Sequence, residues 1–473
     1  MNRKTILSIA ACMLLASSAG ADTITVGPGL GTYDHITITA AVASSSNGDE
    51  IVVEPGLYPE NLVIGAKTIT IRKSATPGEV VIFGQSLGSV VDAAASNLTL
   101  RDLTITGGAA NVGAGVYAPT NSTIVVEDCV LEDNHVSGGS ELGGAIYASK
   151  SLTMRRTVVR NNSATGRAGG IELRGVGPHF IEECLFEFND AGPDNNPTDT
   201  GGAIVVATTS PVQVTRSTFR ENSAGGHAGA IHVVDDVLRL DHCVFDSNLS
   251  TRGGAIRIDD GHTARANNCL FIDNDAAAFG GAVYNAELFE AINCTFVGNT
   301  SSSDTDTIEG ASASSQTKLL NCIITNAGSG SQGGAGVFMP RNSLIPEGPS
   351  GAPDANGNFD ADPLFVDAAG GDYRLMPGSP AIDAGDSLGG FGVSVLSLTT
   401  DLDGNVRNLD DADTANTGVP AWELNIDLGA FEFQPDTGAT LPGCNLADVA
   451  EPYTVLDFSD VIGFLTAFGA GCP

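Results

Sequence analysis

Residues 228–256 read AGAIHVVDDVLRLDHCVFDSNLSTRGGAI, and the punctuation of this stretch decides the fold. Short alternating runs, such as Ala230-Ile231-His232-Val233-Val234 and Val237-Leu238-Arg239-Leu240, are broken by Gly, Asn and Asp. Alternation of this kind bounded by turn formers marks short strands. Cys243 is followed five positions later by Asn248, and Gly253-Gly254-Ala255-Ile256 starts the pattern again. The unit recurs from about residue 125 to 325. Its small residue falls at Cys129, Thr157, Cys184, Ser217, Cys243, Cys269, Cys294 and Cys322. Its asparagine falls at Asn134, Asn162, Asn189, Asn222, Asn248, Asn274 and Asn299, and glycine pairs such as Gly143-Gly144 and Gly280-Gly281 mark each restart.

A period near 26 also suggests leucine-rich repeats, but the units lack that leucine pattern and any 3.6-residue helical periodicity. Each unit is too small to bury its own apolar face. Coils stacked about 4.8 Å apart bury one continuous column and place equivalent residues above one another. The cysteines then form an internal ladder. The asparagines form a second one, whose amides bond to their neighbours and whose backbone suits the left-handed turn conformation. The aligned cysteines read as stacked thiols or as one or more bridges, parallel side-chain vectors being poor disulfide geometry. No CxxC pair exists for zinc.

Residues 36–43 fit a short helix, with Ile36, Ala40 and Ala43 on one face, that covers the open N-terminal end of the column. The coils then begin with Gly48-Asp49-Glu50-Ile51-Val52-Val53-Glu54-Pro55-Gly56-Leu57-Tyr58. On that opening and the coil pattern, residues 22–330 resemble the pectate-lyase-like right-handed β-helix family. The resemblance implies an all-β, right-handed parallel β-helix; residues 36–43 add the helical N-terminal cap, and helical spacing of Val461, Ile462, Phe464, Leu465 and Phe468 makes the C-terminal module small and partly helical.

Residues 1–21 read as a cleaved signal peptide: Arg3 and Lys4, an apolar run, then Ala19-Gly20-Ala21. A lipoprotein reading at Cys12 is the alternative. The expected destination is extracellular or the cell surface. The net charge of −34 argues against nucleic-acid and anionic-lipid partners. It suits solubility in salt or the gathering of divalent cations. No later apolar run is long enough for a transmembrane helix.

Beyond the coils, Asp362-Pro363-Leu364-Phe365, Gly378-Ser379-Pro380-Ala381-Ile382-Asp383 and Asp427-Leu428-Gly429-Ala430-Phe431 lie within residues 331–435. This series resembles the choice-of-anchor Q region of bacterial surface proteins, which implies surface display. A Pro/Gly/Thr linker occupies residues 436–442. Residues 443–473 form a short module in which Cys444 and Cys472 are expected to close a disulfide. Its tail, Leu456-Asp457-Phe458-Ser459-Asp460-Val461-Ile462, resembles the GC-type dockerin domain and implies a receptor for this module. Its loop lacks the Asn, Asp and Gly of the dockerin calcium core.

Two features bear on activity. Asp235-Asp236 and, one coil later, Asp259-Asp260 stack toward one corner, with Arg257 and His262 beside them. Such carboxylates repel unless a cation sits between them or one is protonated. They read as solvated turns, as a calcium site, or, for Asp259 and Asp260, as catalytic acids. Asp401 and Asp403 resemble the start of a further calcium loop. The second feature is an outward ladder of Tyr117, Tyr147, Glu172, Val205, His232, Arg257 and Tyr284, which suits a glycan chain lying across a flat face. The expected function is an exported, cell-surface-associated, non-catalytic β-helix that binds extracellular polysaccharide or a cell-surface component. The alternative is a polysaccharide lyase or glycoside hydrolase.

Overall fold

The computed structural model describes residues 21–435, apart from residues 30, 139–141, 193–195, 197, 303–304, 326–329, 351–352, 390–394, 396–397, 408 and 420–424. Residues 1–20 of the expected signal peptide, the expected linker at 436–442 and the expected module at 443–473 lie outside the described residues. The chain winds into an all-β, right-handed parallel β-helix. Parallel sheets of 13, 11 and 11 strands run along the column, and a fourth of 8 strands accompanies them from Ala109 to Ser301. One coil supplies Ile231–Val233, Val237–Asp241, Val244–Asp246 and Leu249–Arg252, one strand to each sheet, before Ile256–Ile258 begins the next.

The register explains the repeat. Ile231 pairs with Ile256, His232 with Arg257 and Val233 with Ile258. Inward residues therefore stack on their own kind. Phe186, Phe219, Phe245, Phe271 and Phe296 form a column of parallel rings with centroids 4.6–4.9 Å apart. The six described cysteines are free thiols within the interior, not bridges. Burial pushes Cys129 and Cys184 up to about 12, so they stay protonated and unreactive. Thr157 and Ser217 fit the same ladder because their hydroxyls accept the amide of the cysteine one coil earlier, at 3.4 and 3.1 Å.

The asparagine ladder is the polar counterpart. Each buried amide donates to the next Asn Oδ1, from Asn134–Asn162 at 3.0 Å to Asn274–Asn299 at 2.8 Å. The same oxygen also accepts the backbone amide of the preceding ladder residue. The left-handed backbone lies elsewhere than expected. The residue before each ladder asparagine adopts it, as Asp133, Asn161, Phe188, Glu221, Ser247 and Asp273 do. The asparagine is retained for its amide, which alone fills both donor and acceptor roles in the stack.

The glycine pairs divide their labour. The first residue is left-handed, and alanine serves there at Ala168 and Ala228. The second must lack a side chain: a Cβ on Gly254 would sit 2.1 Å from the Gly281 carbonyl oxygen of the next coil.

At the N-terminal end the helix runs Ile38–Ser44, with Thr37 capping it. Its buried face is Ile38, Ala41 and Val42, not the expected Ile36, Ala40 and Ala43. The cap at Thr37 starts the helix later, so the face that meets the column shifts with it and Ile36 stays exposed. At the other end the coils outlast Cys322. The strand Val337–Arg341 joins the 13-stranded sheet, and Ser343 continues the cysteine ladder by accepting the Cys322 amide at 3.1 Å. The following segment caps this end, where Leu344, Phe359, Leu375 and Ile382 pack. It also folds back along the side of the column, setting Tyr373, Ala430 and Phe431 on Leu270. Within it the fully buried Arg407 pairs with Glu432 at 3.2 Å and donates to the Gly429 carbonyl at 2.8 Å.

Two predictions follow from these ladders. Asn248→Ala removes a buried amide bonded on both sides and strands its neighbours. It should lower unfolding free energy by about 1–3 kcal/mol in urea denaturation; a loss below about 0.5 kcal/mol, the level of an ordinary surface change, contradicts the ladder's role. The second concerns His179, which stands in a core column between Leu152 and Val212. Burial pushes its imidazole down to about 4. The unfolded chain takes up this proton below about 6.5 and the folded chain only near 4, so folding weakens as pH falls through that window. His179→Leu should therefore stabilise the protein more at pH 4.5 than at pH 7.5, by on the order of 3 kcal/mol at most; equal effects at both pH values would refute it.

Candidate functional site

The outward ladder lies on the face of one 11-stranded sheet. Tyr117 pairs with Tyr147, Tyr147 with Glu172, Glu172 with Val205, Val205 with His232, His232 with Arg257, and Arg257 with Tyr284. Tyr117 and Tyr147 stack with ring centroids 5.8 Å apart. The Arg257 guanidinium lies over the Tyr284 ring, 5.1 Å from its centroid. The face is not uniformly open, because Glu172 and Val205 are fully buried and His232 is 5% exposed.

The covering residues come from a second ladder. Backbone bridges join Leu142, Arg167, Thr200, His227 and Arg252 from coil to coil. Each stands five positions before its partner on the face, so the offset was available in the sequence, but these residues went unremarked. Arg167 reaches Glu172 at 3.5 Å, and Arg174 pairs with the same carboxylate at 2.7 Å. Burial raises the Glu172 carboxyl above its ordinary range even so. The His227 and His232 rings meet edge to face, 6.1 Å apart.

Asp259 is the hinge of the C-terminal half. One oxygen accepts from Arg257 Nε at 2.8 Å and the other lies 3.1 Å from His232 Nε2. Burial would raise this carboxyl, but His232 and Arg257 together hold it well below the usual carboxylate range. Burial also lowers His232, with Asp259 opposing that shift. Beside Asp259 an open groove of 580 Å³ is lined by Arg257, Asp260, His262, Tyr284 and Ser312.

The four expected carboxylates do not converge. The turn from Ile258 to Thr263 is one residue longer than that from Val233 to Val237, which slides the second Asp pair relative to the first. Asp259 consequently turns into the face, Asp260 stays exposed, and Asp236 takes a left-handed turn conformation. Asp235 lies 3.9 Å from His262. Asp401 is buried, its oxygens taken by the backbone amides of Asn405 and Glu432 at 2.7 and 3.0 Å, while Asp403 is exposed. Among the described residues no group of three or more His, Cys, Asp or Glu side chains is placed to hold a metal ion. No helix among them is long and apolar enough to cross a membrane.

Comparisons with known proteins agree with this architecture. A family model described as "Right handed beta helix region" matches residues 87–248. The metabotropic glutamate receptor-like protein R of Dictyostelium discoideum is 26% identical over 174 residues, 37% of this chain and 10% of that protein. The probable autotransporter YfaL of Escherichia coli (strain K12) is 26% identical over 192 residues, 37% of this chain and 15% of that protein. The chain thus spans only a small part of the length of either relative. A solved structure described as the complex of XylC with xylose superposes with a TM-score of 0.52 at 10% identity, covering 87% of this chain and 98% of that one. At that identity the likeness shows the fold alone.

Proposed function

We propose that this protein is displayed outside the cell and binds an extracellular polysaccharide along the face from Tyr117 to Tyr284, without cleaving it. One observation carries the reading: a chain of net charge −34 gathers Arg167, Arg174, His227, His232 and Arg257, flanked by three tyrosines, on a single sheet face. Tyrosine rings offer flat apolar surface to sugar rings, and arginines offer fixed donors to acidic substituents. Display is supported by the signal-peptide pattern and the likeness to a probable autotransporter. In this reading residues 331–435 and 443–473 serve attachment, the latter through a surface receptor.

A second reading, a polysaccharide lyase or glycoside hydrolase, is favoured by one contact. Asp259 stays ionised and orients His232 beside Arg257, as a base and its partner would be arranged. One experiment separates the two. The mature chain is titrated with polygalacturonate and xylan, with and without EDTA, while new chain ends are counted. The binding account predicts saturable binding without new ends, weakened about tenfold by Tyr147→Ala or Tyr284→Ala, near 1.4 kcal/mol each. Absence of binding, or indifference to both substitutions, would refute it. Depolymerisation that Asp259→Asn abolishes would establish the enzyme instead, and sensitivity to EDTA would bring in calcium.

A further inference from the structure

Buried polar atoms without partners cost roughly 1–3 kcal/mol each, so proteins keep few of them. On this face they gather between Glu172 and Arg257. Arg167 Nε, Thr200 Oγ1, His227 Nδ1, His232 Nδ1, Arg257 Nη1 and Glu172 Oε2 are all buried without a hydrogen-bond partner. Thr200 and His232 are themselves more than nine-tenths buried. His232 Nε2 faces Asp259, so in the neutral ring that nitrogen donates and Nδ1 accepts, becoming a donor only when protonated; the arginine atoms can only donate, Thr200 Oγ1 can do either, and Glu172 Oε2 accepts when ionised. Protonation of the imidazoles therefore leaves the strip with more donors than acceptors.

We propose that this strip seats one oxyanion of a sugar chain, a uronate carboxylate or a sulfate ester, and that seating it draws a proton onto the His227–His232 pair. The inference rests on the glycan-binding reading above and adds a proton to it. His232 is pressed by Arg167 and Arg257 and paired to Asp259; His227 is pressed by Arg252 and Arg257, and its backbone amide donates to the Asp199 carbonyl. Glu172 stands two coils away along the ladder. Burial and the arginines hold His227 down to about 4, so this imidazole is neutral in the free site. An anion placed among these groups reverses the field at the imidazoles. A ligand that favours the protonated form must take up a proton on binding, and its affinity must rise as pH falls.

Calorimetry of the mature chain tests this with three probes: trigalacturonate, a sulfated galactan tetrasaccharide and neutral xylotriose. Each is titrated at pH 7.5 and 5.5 in buffers of different ionisation enthalpy, which reveals proton uptake. An anionic probe should bind about tenfold more tightly at pH 5.5 and take up close to one proton, the limit for one coupled site being about tenfold per pH unit. The probe that responds identifies carboxylate or sulfate as the recognised group. Arg167→Gln should weaken the anionic probe selectively, and His227→Gln should flatten its pH dependence. Binding of xylotriose as tight as that of both anions, or anion binding without proton uptake, overturns the inference and leaves the glycan face standing. Failure of all three probes overturns both.

Discussion

The coil-to-coil register is the constraint on which everything else here depends. Parallel backbone hydrogen bonds set the rise, but they would tolerate a slip that moved each residue to another partner. The buried asparagine amides do not tolerate it, because each must meet the next Oδ1 at about hydrogen-bond distance to be satisfied in the interior. The phenylalanine column and the glycine whose Cβ would strike the next coil act in the same sense. Together they convert a loosely repeating sequence into aligned ladders.

Alignment has an electrical consequence. Whatever stands at one position of a coil stands about 4.8 Å from its counterpart in the next, so like charges meet unless something intervenes. On most of the surface the chain alternates the signs, as in Glu132–Arg160 at 2.7 Å and Glu187–Arg220 at 2.5 Å. The sheet face around His232 departs from that rule. Arg167, Arg174, Arg252 and Arg257 lie there with two histidines, against the carboxylates of Glu172 and Asp259.

Much of this was legible in the sequence because solenoid periodicity survives substitution. Cys243 to Asn248 to Gly253-Gly254 predicts the coil, and the distance to Gly-Ala-Ile predicts the alignment of Tyr117 through Tyr284 on one sheet, though not the burial of Glu172, Val205 and His232 within it. Three things were not legible. The helix face shifted because a cap at Thr37, not the apolar pattern alone, sets where the helix begins. The acidic corner dispersed because Asp259 follows Ile258 directly whereas Asp235 stands two residues past Val233, and the longer second turn restores the strand register only at Thr263. The second ladder through Arg167, Thr200 and His227 was missed because its members share no chemistry, only an offset of five residues. In the C-terminal segment Phe431 and Tyr373 cover apolar residues on the column's flank, a placement made by tertiary packing.

The account stands most directly on where a sugar chain lies. A crystal structure of the mature protein soaked with an acidic oligosaccharide would decide it. The account predicts a chain running across the coils over Tyr147, His232 and Tyr284, with an acidic group against Arg167 and Arg257. Density on another sheet would contradict it.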